Sequence, residues 1–252
     1  MPELPEVEQM ARLVRHVAVG AGRCMLSVQD ERLGATSGGL GKFVSAIRRG
    51  KELQLSFTDE KISIHPRMTG RLELLPTESS ARAAFRFENG DGFVFVDRRC
   101  LGHLESGEFL DRVLGPEPWE FGAAPKDSRW YRSAFGKFRG SVKSALMNQC
   151  LIAGLGNIAA TEALWRAGVD PRTPTQTLTD DQLQEIADGV HRYIETTIES
   201  EDPLKMQYLN EGGANPFMIY GRAGNPCPAC GDKLRSFRLS GRGTVWCASC
   251  QL

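Results

Sequence analysis

Residues Gly115–Ser128 read GPEPWEFGAAPKDS, fourteen positions holding three prolines and two glycines, and the character of the chain changes across them. Proline removes a backbone donor and glycine dissolves local preference, so such a stretch continues neither a helix nor a strand. Upstream, short runs alternate apolar and polar residues: CMLSV (24–28), FVSAI (43–47), ELQLSF (52–57), ISIHP (62–66), LELL (72–75), AFRFEN (84–89) and GFVFVD (92–97). A period of two marks half-buried strands, and turns such as Thr58–Lys61 and Asn89–Gly92 separate them. Before these strands, Glu6–Val19 places apolar residues at 7, 10, 13, 14 and 17 and ends at Gly20, which predicts a helix. Downstream, SVKSALMNQ (141–149), IAATEALWRAG (158–168) and TDDQLQEIADGVHRYIETTIES (179–200) read as helices, with no strand signal between them.

The expected fold is therefore multidomain α+β. A β-sandwich with an initial helix would occupy residues 1–115, a linker 116–128, a helical domain 129–220 and a cysteine module 221–252. No apolar run reaches about 18 residues and the first thirty lack a secretory signal, so the expectation is a cytoplasmic protein without membrane contact. Formal net charge is zero, which taken alone speaks against a polyanionic partner. The distribution reverses that. Residues 126–149 carry six basic side chains against one acid, and residues 205–252 six against two, whereas residues 176–202 carry eight acids against Arg192. An acidic helix behind a basic surface fits the pattern, as do ordinary solvated faces.

Four of the seven cysteines fall in the last 26 residues as Cys227-x2-Cys230 and Cys247-x2-Cys250. Two close thiolate pairs can close a tetrahedron around Zn²⁺, and a tetrathiolate site is coordinatively full and hence structural. The metal would supply folding energy that a module so short lacks. The intervening GDKLRSFRLSGRGTVW (231–246) predicts a β-hairpin with Gly241-Arg242-Gly243 in its turn, where Arg242 could meet a phosphate or stand free in solvent. Cys24, Cys100 and Cys150 are expected to be reduced packing residues. In CLIAGLGNIAATEALWRAG (150–168), Gly154 and Gly156 allow a tight turn, Asn157 is placed to cap the following helix and Gly168 to end it. With Lys137, Arg139 and Lys143 nearby in sequence, this turn reads as a clamp for backbone phosphates.

The chain begins MPELPEVE. Removal of Met1 would make Pro2 a secondary amine, and α-amino groups titrate near ~7.7–8, so a neutral fraction exists at pH 7. A neutral amine can attack an aldehyde-level carbon to give an iminium ion, with Glu3 at hand to move protons.

Taken together, MPELPEVE, RRGKEL (48–53), IHPRMTG (64–70), LGPEP (114–118), AGLGNIAATEALWRAG (153–168), YGRAGNPCPACG (220–231) and WCASC (246–250) resemble the formamidopyrimidine-DNA glycosylase and endonuclease VIII family of bifunctional DNA repair enzymes. The resemblance implies a β-sandwich, a helix-two-turn-helix domain and a zinc finger, with double-stranded damaged DNA in the cleft between domains, in a monomer that needs no obligate protein partner. It implies that Pro2 attacks C1′ of the damaged nucleotide, that Glu3 transfers protons during β- and δ-elimination, that Glu6 supports them, and that Lys51 reaches the lesion and its phosphate. Asn157 and Arg242 would hold phosphates, with Lys143 beside them among the DNA-binding residues, and Met68 would fill the gap left by an extruded base. The family's DPRRFG loop reads DRRCLG (97–102) here, which aligns Arg99 with the arginine facing the orphaned base and Leu101 with the wedge phenylalanine. Arg67 and Ala159 stand where the family has glycine and tyrosine. The opening favours the formamidopyrimidine branch, which acts on 8-oxoguanine-type lesions. The segment 202–222 is shorter than that branch's lesion-covering loop, which leaves open an endonuclease VIII-like enzyme for oxidised pyrimidines. A non-catalytic damaged-DNA-binding protein on the same scaffold is the third possibility.

Overall fold

The computed structural model describes residues 2–77, 79–109, 113–200 and 215–252. The chain divides into two compact units, Met1–Arg112 with Thr197–Gly213 and Val113–Thr196 with Ala214–Leu252. Among the described residues no helix is long and apolar enough to cross a membrane.

The first unit starts with helix α1 (Leu4–Ala18). A reciprocal capping box of Glu3 and Glu6 opens it, Pro5 sits in its first turn where no intrahelical donor is needed, and Gly20 at φ 73° follows its end. Its apolar stripe, Val7, Met10, Leu13 and Val14, is buried. On another side the buried Gln9 amide donates to the Ile198 carbonyl.

Eight strands follow: β1 (Arg23–Val28), β2 (Gly38–Arg49), β3 (Glu52–Phe57), β4 (Lys61–His65), β5 (Gly70–Leu74), β6 (Ala83–Phe87), β7 (Gly92–Asp97) and β8 (His103–Ser106). They pair antiparallel in the order β5-β7-β6-β1-β2-β3-β4-β8. The twelve-residue β2 belongs to both halves, pairing with β1 through Gly38–Lys42 and with β3 from Phe43 to Arg49, with an irregularity between Phe43 and Ser45. Irregularities of this kind bend a strand, and the two halves share one core with α1. Leu72, Phe85, Phe93 and Phe95 enter it from one half, and Leu53, Leu55, Ile62, Ile64 and Leu104 from the other. The sequence pattern finds seven of these strands and misses β8, which is four residues long and buries Leu104 alone. It also shortens β2, because Gly38, Gly39 and Gly41 carry no side chain to alternate.

The second unit holds α2 (Ser128–Phe135), α3 (Val142–Met147), α4 (Asn157–Arg166) and most of α5 (Asp180–Ser200), followed by the hairpin β9 (Arg235–Leu239) and β10 (Arg242–Trp246). Asp127 and Ser141 cap α2 and α3 by accepting from Trp130 N and Ser144 N. The proline-rich stretch is bonded to this unit: Gly115 N–H donates to Gln149 O at 2.8 Å, Ala153 N–H to Pro116 O at 3.0 Å, and the buried Trp119 indole to Glu195. The buried Glu162 carboxylate accepts the amides of Met218, Ile219 and Tyr220 at 2.9–3.0 Å and pairs with Arg166, which fastens the approach to the hairpin onto α4. Of the three scattered cysteines only Cys24 is a packing residue. Cys100 is half-buried and Cys150 exposed, both in turns outside the packed strands and helices.

Phe85 and Phe93 stack at 4.5 Å with 15° between their planes, both fully buried. Phe85→Ala is expected to destabilise the first unit by about 3–5 kcal/mol, the combined loss of transfer energy and an unfilled cavity, read as a lower denaturation midpoint.

Candidate active site

Pro2 and Glu3 are buried and lie immediately before α1. The Glu3 N–H donates to Glu6 Oε2 at 2.8 Å, so the second carboxylate of the opening motif is bound to the backbone next to Pro2. Burial, with the Glu3 carboxylate close by, pushes Glu6 up to about 7. A carboxyl poised there can both give and take a proton at neutral pH.

Two residues on, the buried Glu8 meets three arginines: Arg15 at 2.9 Å, and Arg12 and Arg48 at 3.5 Å each. Arg48 also donates from Nη1 to Gly50 O at 3.2 Å. Gly50, at φ 59°, and Lys51 form the two-residue turn between β2 and β3, since Arg49 pairs with Glu52 across it. Glu8 and Arg48 thus tie the helix carrying the candidate acids to the turn carrying Lys51, which is half-buried. Sequence reasoning passed over both, although the i, i+4 spacing of Glu8 and Arg12 and the arginine pair before Gly50 were visible.

Met68 and Arg67 lie in the β4–β5 connection, Arg99 and Leu101 in the β7–β8 connection. Met68 is half-buried, Arg99 exposed, and Leu101 43% exposed. Arg67 occupies the glycine position of the family at φ 55°, a left-handed conformation that explains why glycine suits it. Cys100 is left-handed too, at φ 52°. Both connections close on glycines that tolerate no Cβ: at Gly70 it would lie 2.5 Å from Pro66 O, and at Gly102 2.7 Å from the Phe95 ring.

In the second unit, Lys143 and Asn157 converge on one carbonyl. Asn157 Nδ2 donates to Gly243 O at 3.1 Å, and the buried Lys143 ammonium donates to the same oxygen at 3.4 Å and to Thr244 Oγ1 at 2.8 Å. Two expectations change here. Gly156, not Asn157, is the N-cap of α4, and Asn157 is the first helical residue, which frees its side chain to reach β10. The hairpin turn is Ser240-Gly241, at φ 49° and 74°, because a two-residue turn of this twist needs two left-handed positions. Arg242 is therefore the first residue of β10, exposed and next to the carbonyl that Lys143 and Asn157 hold.

The four module cysteines lie with all sulfurs within 4.8 Å of one another, Cys230 to Cys247 at 3.5 Å and Cys227 to Cys250 at 3.9 Å. A tetrahedron with Zn–S near 2.3 Å has edges of about 3.8 Å. The donor set fits one structural Zn²⁺, held by Cys227, Cys230, Cys247 and Cys250. Trp165 Nε1 donates to Cys227 Sγ at 3.4 Å, so α4 orients one ligand from outside the module.

Three family descriptions match in succession: "Formamidopyrimidine-DNA glycosylase N-terminal domain" over residues 1–104, "Formamidopyrimidine-DNA glycosylase H2TH domain" over 114–207, and "Zinc finger found in FPG and IleRS" over 224–252. The formamidopyrimidine-DNA glycosylase of Streptococcus pneumoniae is 32% identical over 276 residues, covering 100% of this chain and 99% of its own. That of Chloroflexus aurantiacus is 33% identical over 277, covering 100% and 98%. Among solved structures, the Lactococcus lactis Fpg in complex with DNA containing an abasic site superposes with a TM-score of 0.80 at 27% identity, covering 99% of each chain. MutM (Fpg) of Thermus thermophilus does so with 0.81 at 29%, covering 99% and 98%.

Two outcomes follow from this geometry. Between pH 4.5 and about 7 the folded protein keeps a proton on Glu6 that the unfolded chain releases, so stability falls as pH rises through that window and levels off above it. Glu6→Gln keeps an acceptor for the Glu3 N–H and should abolish this slope, worth on the order of 1–3 kcal/mol, in melting curves at pH 5, 6 and 8. Stripping zinc with a chelator, or Cys247→Ser, should unfold the module and weaken DNA binding, measured as metal content beside a binding isotherm.

Proposed function

The chain belongs to the formamidopyrimidine-DNA glycosylase family and is a DNA glycosylase of base excision repair; from that premise we propose that it excises oxidised bases of the 8-oxoguanine and formamidopyrimidine type and then cuts the strand as an abasic-site lyase. The carrying observation is the buried Glu3–Glu6 pair, bonded through the Glu3 N–H at 2.8 Å beside Pro2. Once Met1, which lies outside the described residues, is removed, Pro2 nitrogen is a secondary amine. It attacks C1′, and the base departs with a proton supplied by a carboxyl group. The amine then loses its proton and the C1′–O4′ bond opens as O4′ takes one up, which leaves an iminium at C1′; it acidifies the C2′ proton, whose abstraction by Glu3 expels the 3′ phosphate. A second elimination expels the 5′ phosphate, and hydrolysis returns the free amine. Glu6, raised to about 7, serves as a proton reservoir beside Glu3.

The remaining residues serve base extrusion, which requires the backbone to be pinned and the stack refilled. Arg242, with Asn157 and Lys143 behind it, pins phosphates; Lys51 reaches the lesion strand; Met68 and Leu101 enter the vacated stack and Arg99 faces the orphaned base. The stretch 202–214, on which part of the lesion preference turns, lies outside the described residues.

Borohydride trapping tests the lyase step. Protein whose intact mass shows loss of Met1 should form a covalent adduct with abasic-site DNA, and Glu3→Gln should lower base excision by about 10²–10⁴. Absence of an adduct from Met1-free protein sinks the lyase reading. Excision of thymine glycol in preference to 8-oxoguanine would reassign the lesion class to oxidised pyrimidines.

A further inference from the structure

Beneath the two DNA-facing connections lies a buried polar cluster that the chemistry above does not use. The Asp97 carboxylate, fully buried at the end of β7, accepts from Gly102 N at 2.7 Å and Arg99 N at 3.2 Å, both in the β7–β8 connection. It also accepts from the hydroxyl of the buried Thr69, which follows Met68 in the other connection. Thr69 Oγ1 in turn receives the Arg99 N–H at 3.3 Å. Behind them the buried Arg82 guanidinium donates to Asp97 Oδ2 at 3.2 Å, to Gly102 O at 2.8 Å and to Asp30 Oδ2 at 2.7 Å. One buried carboxylate therefore bridges the two connections, and one buried cation holds both ends of the second.

We propose that Thr69, Asp97 and Arg82 are positioning residues that lock the Met68 connection to the Arg99–Leu101 connection, so that both enter DNA as one rigid element and set the discrimination for the opposite base. This rests on the reading of Met68, Arg99 and Leu101 as the residues that enter the stack. A cation shared by three acceptors and a carboxylate that accepts four bonds in a buried site leave few alternative arrangements, which is the property a rigid wedge needs. The loop departs from the family pattern at Arg98, Cys100 and Leu101, yet Asp97 and Gly102, the two points the cluster grips, are retained.

Thr69→Val removes the bridging hydroxyl at constant volume, and Arg82→Lys keeps the charge but not the fork that reaches three acceptors. Each is assayed as the full-length, zinc-loaded protein, with its melting temperature measured; Thr69→Val carries the test if Arg82→Lys fails to fold. Base excision from duplex DNA should fall by about tenfold or more and the spread of rates across the four opposite bases should narrow, while cleavage of a preformed abasic site in single-stranded DNA stays within about twofold. Met68→Ala and Leu101→Ala should be non-additive in the parent and additive in the Thr69→Val background. Unchanged duplex excision in both cluster variants, with Met68→Ala and Leu101→Ala impaired, overturns the coupling and leaves the loop reading standing. Parallel loss on duplex and single-stranded substrates reduces the cluster to a fold element and also overturns it. Unimpaired Met68→Ala and Leu101→Ala overturn the loop reading itself.

Discussion

The hydrogen bond from the Glu3 N–H to the Glu6 carboxylate, 2.8 Å long and buried, is the contact on which the proposed chemistry hangs. Chain ends fray because their backbone groups have no partners. Here the first orphan donor of α1 is satisfied by a side chain one turn ahead, and the Glu3 side chain answers by accepting in the same turn. Pro2 is thereby set against a helix whose apolar face is in the core, so the terminus takes its position from the core rather than from its own flexibility. The arrangement is unfavourable electrostatically, since two carboxyl groups are withdrawn from water together. Raising the pKa of Glu6 relieves it, and the same shift makes Glu6 useful as a proton reservoir.

Charges buried elsewhere are compensated differently. Glu8, two residues from Glu6, meets three arginines, and Asp97 meets Arg82 together with two backbone donors and a hydroxyl. Glu162 has three backbone amides and Arg166. Each is a junction between segments distant in sequence: helix with hairpin turn, loop with loop, helix with the approach to the zinc module. Buried ionic groups are weak sources of stability but strict about geometry, which suits places where a segment must sit in one position only.

The second unit shows the same division of labour with a metal. A module of about thirty residues cannot bury enough surface to fold alone, so four thiolates and Zn²⁺ supply the core of the finger. Its orientation comes from side chains on the helices: Trp165 on Cys227, and Lys143 with Asn157 on Gly243. Lys143 reads from sequence as a surface phosphate ligand. Its ammonium is instead buried against β10, and Arg242 is the exposed cation of the group.

The sequence by itself determined seven of the eight strands before the proline-rich stretch and the helical character after it, the zinc ligands, the helix at the chain start and the pairing of Pro2 with two acids, while it left α2 unnamed. These rest on local rules: period of two against period of 3.6, cysteine spacing, capping chemistry within one turn. It placed Met68, Arg99 and Leu101 in turns for the same reason. It set the hairpin turn and the cap of α4 one residue too late, at Gly241–Gly243 and Asn157, and it was silent on β8 and on Glu8, Arg48, Thr69, Arg82 and Asp97 as junctions. The strand and the junctions depend on partners tens of residues away, and a charged side chain in a strand or helix reads as solvated until its partner is known. Only the tertiary structure decided which charges are buried, because burial is a property of the packed neighbours and not of the residue that carries the charge.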